Sequence, residues 1–435
     1  MILHRAVLLL AFVGELLLLS AWQRPNAQGG SAWNPLWLFL LSMFIGLYPI
    51  LAVLYGRGEW EKRISLAHLP PPRLKSGFSH PLLLLGLAAY LLVDYSPRLI
   101  WILEKIPIAV RESDILPQIR IFVSRFLVGE FPYQPITEFG YHLFSPYMPL
   151  QWGPYIIPRL GHFDERWLSL AVFALAGAYF CWRVSRSSMH VVLKWMFAIL
   201  PFWVLRQYLD HDLSIFAKTV ELLIAGYYLF FATTLLAKSP YVQALGMSLC
   251  LLSRYFLVFW VPVYLLSLFV GESRRKALLI GGIALAAGLV LFVFPFYLKD
   301  PSLLSRGMAH HQGVMLGNWS HDLEAGEGAL FAGVGFAGYF APVLQGEVAA
   351  RLGAMSWIHL LGSLLTAGIL GGIYWRIRRR ISLPLYAVAS LKIYLTVFYT
   401  LLPLPVLYYF FVPLCVSLPV LLALFDDRNL SPGAA

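Results

Sequence analysis

Apolar residues come in long runs along this chain, and the polar ones are confined to the stretches between them. Runs of near-spanning length lie at roughly 6–22, 36–55, 81–101, 166–182, 190–206, 213–236, 241–252, 256–270, 277–298, 354–375, 384–402 and 406–425. A backbone amide finds no hydrogen-bond partner in lipid, so such runs must close their bonds within themselves as helices. The expected fold is an all-α polytopic membrane protein with about twelve spans. Residues 241–270 form one apolar stretch, interrupted at Ser253-Arg254-Tyr255. Read as one helix, it would put Arg274, Arg275 and Lys276 outside. Read as two short helices meeting near Arg254, it keeps them inside, and that reading is adopted. Short or broken helices around a polar residue often line a cavity.

Charge position sets the orientation. Lys and Arg cluster in short loops: Arg57, Lys62, Arg63, Arg73 and Lys75; Arg183 and Arg186; Lys238; Arg274 to Lys276; and Arg376, Arg378, Arg379 and Arg380. With twelve spans all five loops and both termini fall on the cytoplasmic side, as the positive-inside rule requires. Residues 1–79 then form an N-terminal helix pair with a basic cytoplasmic loop, stiffened by prolines 70–72. Residues 80–425 form the core and 426–435 a cytoplasmic tail. The outer segments are 102–165, 207–212 and 299–353. The Gly-rich apolar part at 329–345 is expected to lie along the interface. The start, His4-Arg5 followed by an apolar run, resembles a signal peptide. Glu15 interrupts that run and no small-x-small cleavage site follows, so a retained helix is expected.

Composition agrees. Of 435 residues, 59% are hydrophobic and 13% charged, against about 25% charged in soluble proteins; the mean hydropathy is +0.71. The net charge of +11 sits in the loops, which points to topology and anionic lipid, not to nucleic acid. Cys181, Cys250 and Cys415 each fall inside an apolar run, as small core residues do.

Candidate chemistry gathers in the outer segments. The first contains Arg111-Glu112-Ser113-Asp114-Ile115, an amphipathic stretch through Leu127, then Gly129-Glu130-Phe131-Pro132-Tyr133 and Tyr147-Met148-Pro149-Leu150. Asp114 fits two roles, the N-cap of the helix after it or a general base, and Ser113 fits the cap equally. The second contains Gln207, Asp210, His211 and Asp212, where Asp212 fits a cap and Asp210 has no evident structural task. Arg254 breaks an apolar stretch, where a charge costs about 2.5–3.5 kcal/mol; its natural partner is a phosphate, or a neighbouring carboxylate such as Asp210. His310-His311-Gln312 and Asn318 to Asp322 follow in the late segment, with no standard zinc spacing. Lys392 lies inside a span, and Tyr408 and Tyr409 lie near an outer end. No P-loop, Gly-x-Ser-x-Gly, HExxH or dinucleotide fingerprint occurs.

The order of these elements resembles the GT-C superfamily of membrane glycosyltransferases, most closely its polyprenyl-phosphate mannosyltransferase branch, which includes the GPI-mannosyltransferase type. The likeness rests on Ser113-Asp114-Ile115, Gly129 to Tyr133, Tyr147 to Leu150, Asp210-His211-Asp212 and Leu245-Gly246 through Arg254. It covers about residues 80–425 in layout and short stretches in identity. Glu112-Ser113-Asp114 departs from a clean Asp-x-Asp. The resemblance implies an inverting hexosyltransferase, mannose-like in substrate, acting on the non-cytoplasmic face of a bacterial inner membrane. It implies a polyprenyl-phosphate sugar as donor and a lipid or glycan as acceptor. Asp114 would be the base, with Asp210 and Asp212 as further catalytic acids. Glu112, Tyr133, Tyr147, Gln207, His211, Arg254, His310 and His311 would contact substrate. A divalent cation, Mg or Mn, held by Asp114, Asp210 or Asp212 is the one cofactor it allows, and many such relatives work without one. An O-antigen ligase or polymerase and a transporter or flippase of lipid-linked glycans are the competing readings.

Overall fold

The computed structural model describes residues 2–22, 34–55, 80–404 and 406–426. The basic loop from Arg57 to Lys75, prolines 70–72 and the tail from 427 onward lie outside the described residues. In chain order the main helices are α1 (Ile2–Trp22), α2 (Asn34–Tyr55), α3 (Pro81–Lys105), α4 (Ile115–Leu127), α5 (Arg166–Ser185), α6 (Val191–Leu209) and α7 (Glu221–Thr234). They continue as α8 (Pro240–Leu251), α9 (Trp260–Gly271), α10 (Arg274–Gly288), α11 (Leu303–Ala325), α12 (Val348–Ile377), α13 (Leu383–Thr400) and α14 (Phe411–Phe425). Among the described residues there is no strand beyond one isolated bridge, Ile136 with Leu143.

Each of the twelve apolar runs is largely helical, and the local chemistry explains the helix starts. Pro81 and Pro240 sit in first turns, where a missing N–H costs nothing, and His80 caps α3 by accepting from Leu82 N at 3.3 Å. Ser273 caps α10 by accepting from Lys276 N. Helix α10 widens to π geometry over Leu289–Tyr297, where Pro295 has no N–H to give the ladder. By length and composition, seven helices among the described residues are apolar enough to cross a membrane. Two of the apolar segments are broken into shorter pieces. Run 213–236 splits into Ser214–Ala217 and α7, and 329–345 gives Ala329–Ala332 and Ala337–Val343, both too short to cross.

Burial is arranged as lipid would favour. Helices α7, α13 and α14 are central and almost wholly buried, with α7 packed between α5, α8 and α14. Helices α3, α10 and α12 lie outside and present large apolar side chains outward, including Tyr90, Leu285, Phe294, Leu365 and Trp375. So large an apolar exterior fits a hydrocarbon solvent.

The break at Arg254 is a helical hairpin. Helices α8 and α9 run antiparallel, since Tyr264 Oη on α9 donates to Gln243 Oε1 on α8 at 3.2 Å. Between them Arg254 is extended (φ −153°, ψ 137°) and Tyr255–Leu257 forms a single 3-10 turn. The two-helix reading of the sequence therefore holds. The basic ends of the described helices meet on one side of the body. Arg183 donates to Leu236 O, Arg5 to Leu424 O, and Gly271 lies against the Tyr374 hydroxyl. The hairpin tip, the start of α7 and the end of α13 lie at the opposite end. The N-terminal pair belongs to this body. Glu15 on α1 accepts from Lys392 on α13 at 2.5 Å and from Ser417 on α14 at 2.8 Å, and Ser42 on α2 pairs with Thr396.

Helix α11 is the largest departure from the sequence reading. Polar and apolar residues are mixed on all its faces, so no period announced it. It lines the same cavity as the hairpin tip and packs on the first outer segment, where Gly307 meets the Pro146 ring so closely that a Cβ would come within 2.4 Å. Trp319 anchors it by donating to Pro403 O at 2.8 Å.

Candidate functional site

A cavity of about 800 Å³ lies between the hairpin tip, the first outer segment, α11 and α12. Met148, Met315, Leu352, Leu360 and Phe398 give it apolar walls, while Tyr147, Arg254, His311 and Tyr409 bring polar groups to it. This combination of an apolar pocket with a few convergent polar groups is the usual form of a ligand site.

The first outer segment is built to hold Tyr147 there. Arg120 on α4 grips buried Glu165 with two bonds, 2.8 and 2.9 Å, which ties α4 to the foot of α5. Helix α4 ends in a left-handed residue at Gly129 (φ 79°), and Glu130 N returns to Arg125 O at 2.8 Å. The chain then runs into a buried aromatic cluster of Phe122, Tyr133, Trp152 and Phe296. Tyr133 Oη donates to Tyr147 O at 2.7 Å and accepts from Trp152 Nε1 at 3.1 Å. Leu150 N donates to Leu252 O at 2.8 Å, joining this segment to the hairpin tip.

Asp114 and Arg254 both act on Tyr147. Burial raises the Tyr147 phenol above its ordinary value, the charges of Asp114 and Tyr409 add to this, and Arg254 opposes it. Asp114 is half-buried and makes no cap bond to α4; Ser113 Oγ accepts from Ile115 N instead, at 3.3 Å. Among the described residues the one side chain bonded to Asp114 is exposed Tyr141, which donates to Oδ2 at 3.2 Å. The N-cap role thus belongs to Ser113, and Asp114 keeps an oxygen for other work.

Arg254 is nearly buried and pairs with Glu221, the first residue of α7. A carboxylate is thus its partner, as one of the two sequence readings allowed, but it is Glu221 and not Asp210. Its guanidinium also lies over the rings of Phe256 (5.1 Å) and Tyr409 (4.8 Å). Glu221 is 1% exposed, and its Oε2 has no hydrogen-bond partner among the described residues. The sequence reading passed over Glu221, although it is the one acidic residue in the run 213–236. His311 lines the cavity, and burial, then His310 and Arg254, hold its imidazole below the usual histidine range. His310 does not line the cavity, and its Nε2 is buried without a partner.

The second acidic loop lies elsewhere. Asp210, exposed at the end of α6, accepts from Tyr95 Oη at 2.7 Å. Asp212 accepts from Ser214 N at 2.8 Å and from its hydroxyl, which caps the short helix Ser214–Ala217. Gln207 and His211 are half-buried beside them and make no side-chain hydrogen bond among the described residues. Glu112 pairs with Lys218 at 3.0 Å. None of Asp114, Asp210, Asp212, Glu112 and Tyr133 lines the cavity; of these, only Asp114 and Tyr133 act on Tyr147. The aspartates do not converge as a cation site would require: among the described residues no three His, Cys, Asp or Glu side chains are grouped to hold a metal ion.

Comparison with models of protein families, with curated proteins and with solved structures finds no match for this chain.

Proposed function

We propose that this chain is an inverting membrane glycosyltransferase of GT-C type. It would move a mannose-like hexose from a polyprenyl-phosphate donor to a lipid or glycan acceptor. In this reading the twelve runs alternate in direction within the membrane, the basic end and both termini face the cytoplasm, and the cavity opens on the periplasmic face of a bacterial inner membrane. The observation that carries the reading is an apolar cavity lined by Tyr147 and the Arg254 guanidinium, with the Asp114 carboxylate on the outer segment that carries Tyr147. Those are the two charges the reaction needs. Arg254 holds the donor phosphate, and His311 adds a neutral donor beside it. The acceptor oxygen attacks the anomeric carbon while the bond from that carbon to the phosphate oxygen breaks. The acceptor proton passes to Asp114, and polyprenyl phosphate leaves. A single in-line attack inverts the anomeric centre. The apolar walls suit the isoprenoid. No step runs through a divalent cation, because the three aspartates stand apart.

The test is transfer from a panel of polyprenyl-phosphate sugars to membrane lipid extract, comparing wild type with Asp114→Asn. The reading expects wild-type transfer that falls by about 10²-fold or more in the variant while donor binding is kept. Transfer untouched by the substitution would remove Asp114 from the chemistry. No transfer from any donor, with lipid-linked glycan crossing vesicles instead, would replace the transferase with a transporter.

A further inference from the structure

The charges at the cavity head do not suit an anionic ligand as they stand. Arg254 contributes one positive charge, and Glu221 cancels it at direct contact. Asp114 adds a negative charge across Tyr147, and His311, held below the usual histidine range, is neutral at pH 7. A phosphate entering the cavity therefore meets no net positive charge unless the Arg254–Glu221 pair gives way.

The pair is also poorly built for stability alone. A buried ion pair offsets its desolvation only when its remaining lone pairs and protons are satisfied. Here Glu221 Oε2 is buried and, among the described residues, unpartnered. The buried pair Glu15–Lys392 in the same protein shows the alternative, since Ser417 takes the second carboxylate oxygen of Glu15 and Pro413 O takes a second Lys392 proton. Arg254, moreover, lines the cavity while Glu221 stands behind it. Arg254 thus holds the carboxylate through Nη2 while the same side chain lines the space where a ligand sits.

We propose that Glu221 is a resident competitor for the anion seat on Arg254, so that a ligand phosphate and the Glu221 carboxylate share one guanidinium and Glu221 sets how tightly the phosphate is held and how readily it leaves. This rests on the reading that Arg254 receives a lipid phosphate. It makes Glu221 a positioning residue, acting through Arg254 and touching no substrate. For a transferase the device has a use, because the leaving polyprenyl phosphate carries more charge than the donor and would otherwise bind the arginine more tightly than the donor does.

The sign of the effect separates this role from a structural one. The full chain in phosphatidylcholine nanodiscs is titrated with geranylgeranyl phosphate and, as the uncharged control, geranylgeraniol. Glu221→Gln is expected to bind the phosphate at least about tenfold more tightly than wild type, with geranylgeraniol binding unchanged. Glu221→Asp keeps the charge but draws it back, and is expected to fall between. In Arg254→Ala the phosphate is expected to lose its advantage over the alcohol, and adding Glu221→Gln restores nothing. Phosphate bound equally or more weakly by both folded Glu221 variants, with Arg254→Ala still impaired, overturns the competitor role and leaves the phosphate seat standing. Arg254→Ala binding the phosphate as well as wild type removes the seat itself, and the competitor with it.

Discussion

Removing the Lys392 charge is the sharpest test of how this body is held together. Lys392 and Glu15 are both 0% exposed, 377 residues apart in sequence and 2.5 Å apart in space. Lys392 also donates to Pro413 O at 3.0 Å, and Glu15 accepts from Ser417 at 2.8 Å. Four helices, α1, α13, α14 and, through Ser42 and Thr396, α2, thus share one polar knot. In Lys392→Met the methionine fills most of the space, but Glu15 is left buried and, among the described residues, bound only by Ser417. Breaking one side of a buried pair costs about 3–5 kcal/mol, whereas replacing both partners by apolar groups is close to neutral. Glu15→Leu is expected to cost a similar amount, and Glu15→Leu with Lys392→Met to recover most of the loss. Thermal unfolding followed by tryptophan fluorescence in detergent should place the double variant close to wild type and both single variants well below it. A single variant as stable as wild type, or a double variant at the sum of the two losses, would refute the knot. The site should respond as well, because α13 also carries Tyr394, which donates to Phe256 O at 2.7 Å, and Phe398 in the cavity wall.

Two further outcomes follow from the outer segment. Arg120→Ala leaves Glu165 buried without its cation, and should cost about 1 kcal/mol after allowing for the half-exposed arginine; hydrogen exchange should then show faster amide exchange across 115–127 than in wild type, with α5 unchanged. Burial pushes the Asp164 carboxyl up, but the hydrogen bonds and charge of Arg166 outweigh it and hold the group below its ordinary 3.8. A carboxyl lowered on folding gives stability that is complete above its unfolded value and lost as pH falls through the folded one, so wild type should lose more stability than Asp164→Asn between pH 5 and pH 2.5, and equal losses would count against the pairing.

Much of the fold was legible because lipid leaves the backbone few choices. The twelve apolar runs all became helices, and the basic residues alone required the 241–270 stretch to turn back, which Tyr264 and Gln243 confirm in space. Local spacing left the side-chain partners open. Asp210-His211-Asp212 looks like a catalytic triplet in sequence, yet its carboxylates serve Tyr95 and Ser214. Asp114 and Ser113 were equal candidates for the cap, and only coordinates could give the cap to Ser113. Tyr133, expected at the substrate, instead fixes the backbone of Tyr147 from within an aromatic cluster. Glu221 and Glu15 were each visible as an acid in an apolar run. Their partners lie 33 and 377 residues away, and no periodicity encodes a contact at that range.

The lengths of the inner helices carry the last step. Helix α8 has 12 residues and rises about 18 Å from the basic end to the hairpin tip. Helix α7 has 14 residues and rises about 21 Å from the same end to Glu221. Two separate helices thus bring Arg254 and Glu221 to the same depth, well short of the roughly 30 Å of a bilayer core. The outer helices are longer: α3 has 25 residues and α12 has 30, or about 37 and 45 Å. On the proposed membrane placement the pair therefore sits below the outer edge of the hydrocarbon, inside a wall of full-length helices. A water-borne phosphate would have to shed its hydration and descend to reach it. A phosphate carried on an isoprenoid already has its tail at that depth and needs to bring only its head group to the arginine. The short helices give a physical reason for a lipid-linked donor that stands apart from any motif.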